Sequence, residues 1–264
     1  MKLKIGLAQM RCEKGDWEGN LRRTEELMSE AASLGCEVVV FPEMGLSGYC
    51  YDEHYTRAAR SLDSDVVRRF VELTARYGVA ASGGFIEANG DDKPFVTQVL
   101  AQNGRVVGVY HKTHIVDEEA GLFSPGVEMP VFRLRVRGKE LTCALAICAD
   151  SDRPDLFARF AEQGARVVFH SSAPGLYERR TDEASWRAGY EWYRGYLGER
   201  LPGYAVENGL AIAVATQCGA TVDEDFPGGS FVFGPDGSCL ACTEDHREAV
   251  NAMLEKRKPS FTGR

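Results

Sequence analysis

The stretch Leu141-Thr-Cys-Ala-Leu-Ala-Ile-Cys148 has the composition of a strand that is covered on both faces, because every residue in it except Thr142 is apolar. Pro154 follows shortly and can open a helix over residues 154–164. In an α/β sheet, ligands bind at the carboxyl ends of strands, so the pattern places Cys148 at the mouth of a site. The N-terminus of the following helix would favour a thiolate there. A buried, unreactive cysteine is the alternative, and partners elsewhere in the chain decide between the two.

The composition favours one α/β domain that spans residues 1–264, in which about 250–264 form a C-terminal arm of uncertain order. Hydrophobic residues make up 44% of the 264 residues, and no linker or repeat divides them. The N-terminal segment does not resemble a signal peptide, and no run of about 18 apolar residues offers a membrane span. We therefore expect a cytoplasmic protein.

The charge and the cysteines narrow the choice of partners. A net charge of -8 without a basic stripe argues against nucleic acids and anionic membranes. The eight cysteines are expected to be reduced thiols. Cys239 and Cys242 have the spacing of a redox motif, but they lie in a glycine-rich hairpin, so we interpret this spacing as coincidental. His111 and His114 are too few ligands for a metal site, so neither a metal nor another cofactor is expected.

The first part of the chain follows a β-α-β pattern. Residues 4–10 and 36–41 are predicted strands, and the helix between them is predicted over residues 21–34 with Asn20 as its N-cap. The second strand ends at a proline, and Glu43 follows it directly. Glu43 therefore occupies the same kind of position as Cys148, just past the carboxyl end of an apolar strand. A solvated loop charge is the alternative for this glutamate.

A mixed sheet is predicted next, because three strands follow one another without a helix. They cover residues 79–86, 95–102 and 105–110, after a helix over residues 64–77, and Asn103-Gly104 is a strong hairpin signal. The last of these strands leads to Lys112. An exposed ammonium is the alternative for this lysine.

The second half of the chain also alternates between strands and helices. An aromatic helix over residues 183–199 carries Trp186, Tyr190 and Tyr193 on one face, which indicates a core or dimer contact. A further helical segment, 201–208, is predicted to be broken from it at Pro202. The remaining predicted elements are two strands within 131–147, strands at 166–172 and 210–216, two short strands within 228–241, and a strand or helix at 248–254.

Glu43, Lys112 and Cys148 form a chemically complete set for acyl transfer. A carboxylate in a dry pocket has a raised pKa and can accept the proton of a thiol near neutral pH. The ammonium of a lysine can stabilise the oxyanion of a tetrahedral intermediate, an interaction of about 3 kcal/mol. Because each of these three residues follows the end of a predicted strand, we expect them to form one site.

The segments around these residues resemble the nitrilase, or carbon-nitrogen hydrolase, superfamily, and the resemblance covers nearly the whole chain. Phe41-Pro-Glu-Met-Gly-Leu-Ser-Gly-Tyr49 resembles the segment of the catalytic glutamate, Tyr110-His-Lys-Thr-His114 that of the lysine, and Ile147-Cys-Ala-Asp150 that of the nucleophile. Glu119, rather than its neighbour Glu118, matches the second glutamate of many members. The resemblance implies a four-layer αββα sandwich of two mixed β-sheets with helices on the outer faces, and a homodimer or larger homo-oligomer.

The activity that the resemblance implies is hydrolysis of a small linear amide or N-carbamoyl compound through a thioester on Cys148. Glu43 would transfer protons, Lys112 and the backbone of Ala149 would hold the oxyanion, and Glu119 would fix the lysine or the substrate. The Trp-Glu pair that follows the cysteine in true nitrilases is absent, which favours amides over nitriles. Nitrile hydrolysis and a non-catalytic sandwich that binds a metabolite or a partner protein are the alternatives. The candidate substrate-binding residues are Tyr49, Ala149, His170 and Ser171, and further candidates are Tyr51, His54, Ser172 and Pro174.

Overall fold

The first sheet is mixed, and its five described strands follow chain order across it. The computed structural model describes residues 2–52, 59–176 and 182–243. The strands are β1 (Ile5–Leu7), β2 (Val38–Val40), β3 (Ala80–Asn89), β4 (Asp92–Gln102) and β5 (Arg105–His111). The first three run parallel and the last three antiparallel. Helices α1 (Trp17–Ser33) and α2 (Asp65–Tyr77) make the two parallel crossovers, as the β-α-β pattern predicts.

The second sheet has six described strands and places the cysteine strand beside its parallel neighbour. The strands are β6 (Val131–Val136), β7 (Lys139–Ile147), β8 (Val167–Ser172), β9 (Ala211–Thr216), β12 (Phe231–Phe233) and β13 (Cys239–Cys242), in the order β13-β12-β9-β8-β7-β6. A separate small hairpin consists of β10 (Cys218–Ala220) and β11 (Asp225–Pro227). The helices of this half are α3 (Asp117–Ala120), α4 (Pro154–Glu162) and α5 (Glu183–Asn208). β7, β8 and β9 are parallel, so their carboxyl ends meet at one edge.

The two sheets pack back to back, with helices on the outer faces. Along β2, Val38 and Val40 belong to the core between the sheets, whereas Val39 faces α1 and α2 on the other side. This alternation is the period of two expected for a strand. Apolar residues of α4 and α5, among them Phe157 and Leu201, cover the outer face of the second sheet. The structure confirms the four-layer αββα sandwich of two mixed sheets.

Two helix boundaries differ from the sequence predictions. The first helix starts at Trp17 rather than residue 21, because Asp16 caps it through a 2.9 Å hydrogen bond from Gly19 N to Asp16 Oδ1. Asn20 is buried, and its side-chain amide donates to Glu13 O at 2.8 Å instead of capping the helix.

Pro202 does not break the last helix, which runs without interruption from Glu183 to Asn208. A proline ring clashes with the carbonyl four residues earlier, which belongs here to Gly198. Leu201 and Ala205 are buried on either side of Pro202, and their packing holds the helix together.

The remaining differences are small. The sequence did not predict the hairpin of β10 and β11, because its strands are only three residues long. β1 and β2 are shorter than the predicted strands at 4–10 and 36–41. The element predicted at 248–254 and the arm at about 250–264 lie outside the described residues. Among the helices that are described, none has the length and apolarity to cross a lipid bilayer.

Candidate active site

The three residues singled out at strand ends come together between the two sheets. Glu43 follows β2 of the first sheet, Lys112 follows β5, and Cys148 follows β7 of the second sheet. Lys112 Nζ lies 2.8 Å from Glu43 Oε1 and 2.7 Å from Glu119 Oε1. The side chains of these two glutamates are fully buried, and that of Lys112 is 1% exposed. Cys148 is partly exposed and lines a cavity together with Lys112.

Both carboxylates are held by further hydrogen bonds. The backbone N–H of Ala173 donates to Glu43 Oε2 at 3.2 Å. Glu119 Oε2 accepts from the backbone N–H of Val116 at 3.2 Å, and Tyr49 OH donates to Glu119 Oε1 at 3.4 Å. Each carboxyl group therefore contacts Lys112 with one oxygen and a backbone N–H with the other. This arrangement fixes the ammonium between two carboxyl groups.

Burial sets the proton affinities of the site. Burial raises the pKa of Glu43 to about 7, since the opposing charge of Lys112 only partly offsets the lost hydration and Glu119 adds a second negative charge. Burial also raises the pKa of the Cys148 thiol to about 12, with a further contribution from the charge of Glu43. The Lys112 pKa is raised well above its usual value, because Glu43 and Glu119 outweigh the effect of burial. At neutral pH the site therefore holds a protonated thiol, a half-ionised carboxyl group and an ammonium.

The pKa of Cys148 corrects one prediction. A helix N-terminus at Pro154 was expected to favour the thiolate, but a 3₁₀ turn (Cys148–Asp152) separates the sulfur from α4. Because the dipole effect falls off within the first turn of a helix, burial dominates at the sulfur. The thiol therefore depends on a base to lose its proton.

The backbone at Cys148 is strained and is held by a buried histidine. Its φ of 44° lies in the left-handed region, which costs a residue with a side chain about 1–2 kcal/mol. His170 Nε2 lies 3.1 Å from the carbonyl oxygen of Cys148. A carbonyl can only accept, so Nε2 carries the proton. Burial lowers the pKa of His170 to about 4, so the ring is neutral near pH 7.

Asp150 joins the cysteine segment to the lysine segment. Its carboxylate is fully buried and accepts from the Tyr110 hydroxyl at 2.7 Å and from the backbone N–H of Ile147 at 2.9 Å. It also accepts from Thr113 N at 3.2 Å, Thr113 Oγ1 at 2.8 Å and His114 N at 2.9 Å. One side chain thus anchors both strand ends. The sequence drew attention to Asp150 only as part of a motif, because its hydrogen-bond donors come from a distant segment.

The cavity has a volume of about 100 Å³. Of the predicted substrate-binding residues, Tyr49 and Ala149 line it, whereas His170 and Ser171 are fully buried and are not part of its described wall. β8 is covered on both faces, and only its last residue, Ser172, reaches the cavity. Tyr51 and Pro174 also line it, and His54 lies outside the described residues.

Several residues of the cavity wall were missed from the sequence. Trp192, Tyr193 and Tyr196 come from α5, whose aromatic stripe was assigned to a core or dimer contact, and Glu224 comes from the unpredicted hairpin. The spacing of the aromatic residues along 186–197 indicated the helix that carries the first three of these residues. Nothing in the sequence indicated that Glu224 lines the cavity. Within the described ranges, the structure has no cluster of three His, Cys, Asp or Glu residues that could hold a metal ion.

Comparison with known proteins identifies the family. The model of the carbon-nitrogen hydrolase family matches residues 4–252, which is nearly the whole chain. The protein therefore belongs to the carbon-nitrogen hydrolase family and is an enzyme that hydrolyses carbon–nitrogen bonds other than peptide bonds.

The relatives of known name include amidases, a citrullinase and a synthetase. N-carbamoylputrescine amidase from Solanum tuberosum is 27% identical over 248 residues, which cover 89% of this chain and 80% of that protein. Citrullinase from Francisella tularensis is 24% identical, with 90% of this chain and 84% of that protein covered. A partial match, 28% identical over 58% of this chain, covers only 26% of the glutamine-dependent NAD(+) synthetase from Thermotoga maritima.

A solved structure shares the fold. A mutant of the amidase from Nesterenkonia sp. AN1 superimposes with a TM-score of 0.77 at 26% identity, covering 92% of this chain and 91% of that one. That structure shows the result of Michael addition of acrylamide at its active site cysteine. The predicted membership of the nitrilase superfamily and the predicted αββα sandwich are thus confirmed.

Proposed function

We propose that this protein is a thiol-dependent amidohydrolase, which cleaves the C–N bond of a small linear amide or N-carbamoyl compound through a thioester on Cys148. The observation that carries the proposal is the contact of Lys112 Nζ with two buried carboxylates beside a cavity that Cys148 also lines. A neutral thiol, a carboxyl group with a pKa of about 7 and a fixed cation are the three groups that acyl transfer needs.

The first half of the reaction forms the thioester. Glu43 accepts the thiol proton while the sulfur of Cys148 attacks the carbonyl carbon, and the electron pair of the C=O bond moves onto oxygen. Lys112 Nζ and the backbone N–H of Ala149 stabilise this oxyanion. Because the pKa of the Cys148 thiol is about 12 and that of Glu43 is about 7, little thiolate accumulates before the attack. The C–N bond then breaks as Glu43 returns the proton to the departing nitrogen, which leaves as ammonia or amine.

The second half regenerates the enzyme. Water replaces the amine, and Glu43 takes its proton as the oxygen attacks the thioester carbon. The new tetrahedral intermediate collapses, the C–S bond breaks, and the sulfur recovers the proton from Glu43. Glu119 contacts Lys112 at 2.7 Å and keeps the ammonium in place through both halves. It acts as a positioning residue.

The test is release of ammonia from a panel of aliphatic amides and N-carbamoyl amines by the purified enzyme and by Cys148→Ala. The wild type should turn over at least one member, and the variant none. Cys36→Ala, which removes a half-buried thiol outside the cavity, is the matched control and should keep full activity. Turnover by Cys148→Ala would rule out the thioester mechanism. If nitriles, but no amides, release ammonia, the nitrile-hydrolysing alternative replaces this one.

A further inference from the structure

The end of β8 holds both reacting groups of the site. His170 Nε2 lies 3.1 Å from the carbonyl oxygen of Cys148. The backbone N–H of Ala173 donates to Glu43 Oε2 at 3.2 Å. Ser172 lies between His170 and Ala173 in the chain and lines the cavity together with Cys148. Its hydroxyl group is therefore presented beside the nucleophile and its base.

Strand geometry directs the side chain of Ser172 towards the sulfur. β7 and β8 are parallel, and Ile147 pairs with Ser171. Cys148 and Ser172 are therefore the next residues along the two neighbouring strands. Because side chains alternate along a strand, Ser172 shares a face of the sheet with His170, which contacts the carbonyl of Cys148. Ser171 belongs to the opposite face.

The position of this hydroxyl is fixed before the reaction begins. Ser172 is 1% exposed, and it pairs with Thr216 of β9. Its carbonyl oxygen accepts from the backbone N–H of Gln217 at 3.1 Å. A dipole that the fold already holds in place stabilises a developing charge without the cost of reorganisation. The hydroxyl of Ser172 meets this requirement.

Ser172 is an uncharged group among those that act on the Cys148 thiol. Burial, and after it the charge of Glu43, raise the pKa of the thiol. Glu119 adds a smaller effect in the same direction. The charge of Lys112 and hydrogen bonding with Ser172 lower the pKa of the thiol. Ser172 therefore favours the thiolate without adding a charge to the site.

The proton of the thiol decides the direction of this hydrogen bond. Burial raises the pKa of Glu43, and hydrogen bonding with Cys148 works against that rise, so the thiol donates its proton to the carboxylate. Because a thiol has one proton, Ser172 donates its own proton to a lone pair of the sulfur. The oxygen of Ser172 can in turn accept from the hydroxyl of Tyr193, which interacts with it and also lines the cavity.

We propose that Ser172 is a further catalytic residue, whose hydroxyl donates a hydrogen bond to the Cys148 sulfur and stabilises the negative charge that develops there. This inference rests on the proposed amidohydrolase function and gives one more side chain a role in it. The sulfur gains charge when Glu43 takes its proton during the attack, and again when the C–S bond breaks and the bonding electrons return to it. Ser172 keeps its own proton in both steps. Because its hydrogen bond is stronger to a charged sulfur than to a neutral thiol, it lowers both barriers.

Alkylation of Cys148 by iodoacetamide measures this effect, because the thiolate is the form that reacts. Mass spectrometry of the peptide that contains Cys148 follows its rate separately from those of the other cysteines. Ser172→Ala should slow the reaction at about pH 7 by about three- to tenfold. The lost hydrogen bond lowers the thiolate fraction by about tenfold or more, and the greater nucleophilicity of the less acidic thiol recovers part of that loss.

Ser171→Ala is the matched control. Ser171 is the adjacent residue of β8, it is fully buried, and its hydroxyl has no hydrogen-bond partner among the described residues. This variant should be alkylated at the wild-type rate. Ser172→Thr keeps the hydroxyl and should recover most of the rate that Ser172→Ala loses. Ser172→Gly also removes the hydroxyl and takes the place of Ser172→Ala if circular dichroism shows that the alanine variant does not fold.

The alkylation rate needs no turnover, so it separates this inference from the proposed function. A loss of rate confined to variants without the Ser172 hydroxyl supports the inference, even if no amide is hydrolysed. A wild-type rate in Ser172→Ala, or an equal loss in Ser171→Ala or Ser172→Thr, overturns it, even if amide hydrolysis depends on Cys148.

Steady-state kinetics with an amide that is hydrolysed give a second measurement. Ser172→Ala should lower kcat by about tenfold and leave KM nearly unchanged, because the hydrogen bond strengthens only as the sulfur becomes charged. A rise in KM with an unchanged kcat would assign Ser172 to substrate binding and would overturn its role at the sulfur.

Discussion

Replacing Glu43 by glutamine should abolish activity and yet make the protein more stable above neutral pH. Glu43 is fully buried, and its pKa rises from 4.5 in the unfolded chain to about 7 in the fold. A carboxyl group whose pKa is raised on folding stabilises the fold below its unfolded pKa, and this contribution is lost as the pH rises through the folded pKa. The relevant window is therefore about pH 4.5 to 7.

The size of the effect follows from the pKa difference. The difference between a pKa of 4.5 and one of about 7 corresponds to about 3 kcal/mol that the ionised carboxylate costs the fold at pH 8 or above. Glutamine avoids this cost. It loses one hydrogen bond, however, because an amide has one oxygen and Glu43 accepts from both Lys112 Nζ and Ala173 N. With about 1 kcal/mol for that bond, Glu43→Gln should be about 2 kcal/mol more stable than the wild type at about pH 8.

The measurement is urea denaturation of both proteins at about pH 5 and about pH 8, followed by circular dichroism. Because most of the cost is absent at the lower pH, the difference in unfolding free energy should change by about 2 kcal/mol in favour of the variant between the two conditions. Cys148→Ala is the control, because it is inactive but keeps the carboxyl group and should follow the pH dependence of the wild type. A difference in unfolding free energy that does not change with pH would refute a raised pKa of the buried Glu43 carboxyl group.

Three further outcomes test other parts of the site. The kcat of the wild type should fall by about tenfold per pH unit below about pH 7, because protonated Glu43 cannot accept the thiol proton. The rate of ammonia release across the pH range measures this fall. A kcat that does not change with pH would contradict the role of Glu43. Asp150→Asn should lower the unfolding free energy by about 3 kcal/mol, because an amide nitrogen would face backbone donors. Urea denaturation at pH 7 measures the unfolding free energy. A loss below about 0.5 kcal/mol would contradict the anchoring role of Asp150. His170→Leu should slow alkylation of Cys148 by iodoacetamide. His170→Gln keeps a hydrogen-bond donor for the Cys148 carbonyl and should restore the alkylation rate. Equal alkylation rates in the two variants would contradict the positioning role of His170.

The sequence predicted the site where long apolar runs end in a reactive side chain. β7 is buried from Cys143 to its end, and β2 is fully buried, so Cys148 and Glu43 stand out directly after them. Lys112 follows a hairpin that the Asn103-Gly104 turn defines. These signals are local, since each depends on one strand and its end. The meeting of the three residues depends on the sheets packing back to back, for which the family resemblance supplied the expectation.

Residues whose function depends on distant partners could not be predicted in the same way. Asp150 is one polar residue among several after Cys148, and only the fold brings Thr113 and His114 to its carboxylate. Glu224 lies in an irregular acidic segment whose strands are too short to show a period, and its place in the wall depends on Gly175, 49 positions earlier in the chain. His170 was expected in the pocket because it lies near a strand end, but β8 continues for two residues beyond it.

The energetics of the site connect these residues. The left-handed backbone at Cys148 and the ionised Glu43 each destabilise the fold, and neither would persist in a region that could relax. Asp150 fixes the turn after Cys148 to the strand end that carries Lys112, and His170 holds the Cys148 carbonyl from the neighbouring strand. Because these two residues touch the cysteine segment without lining the cavity, they keep the sulfur in place and leave the cavity wall to the substrate.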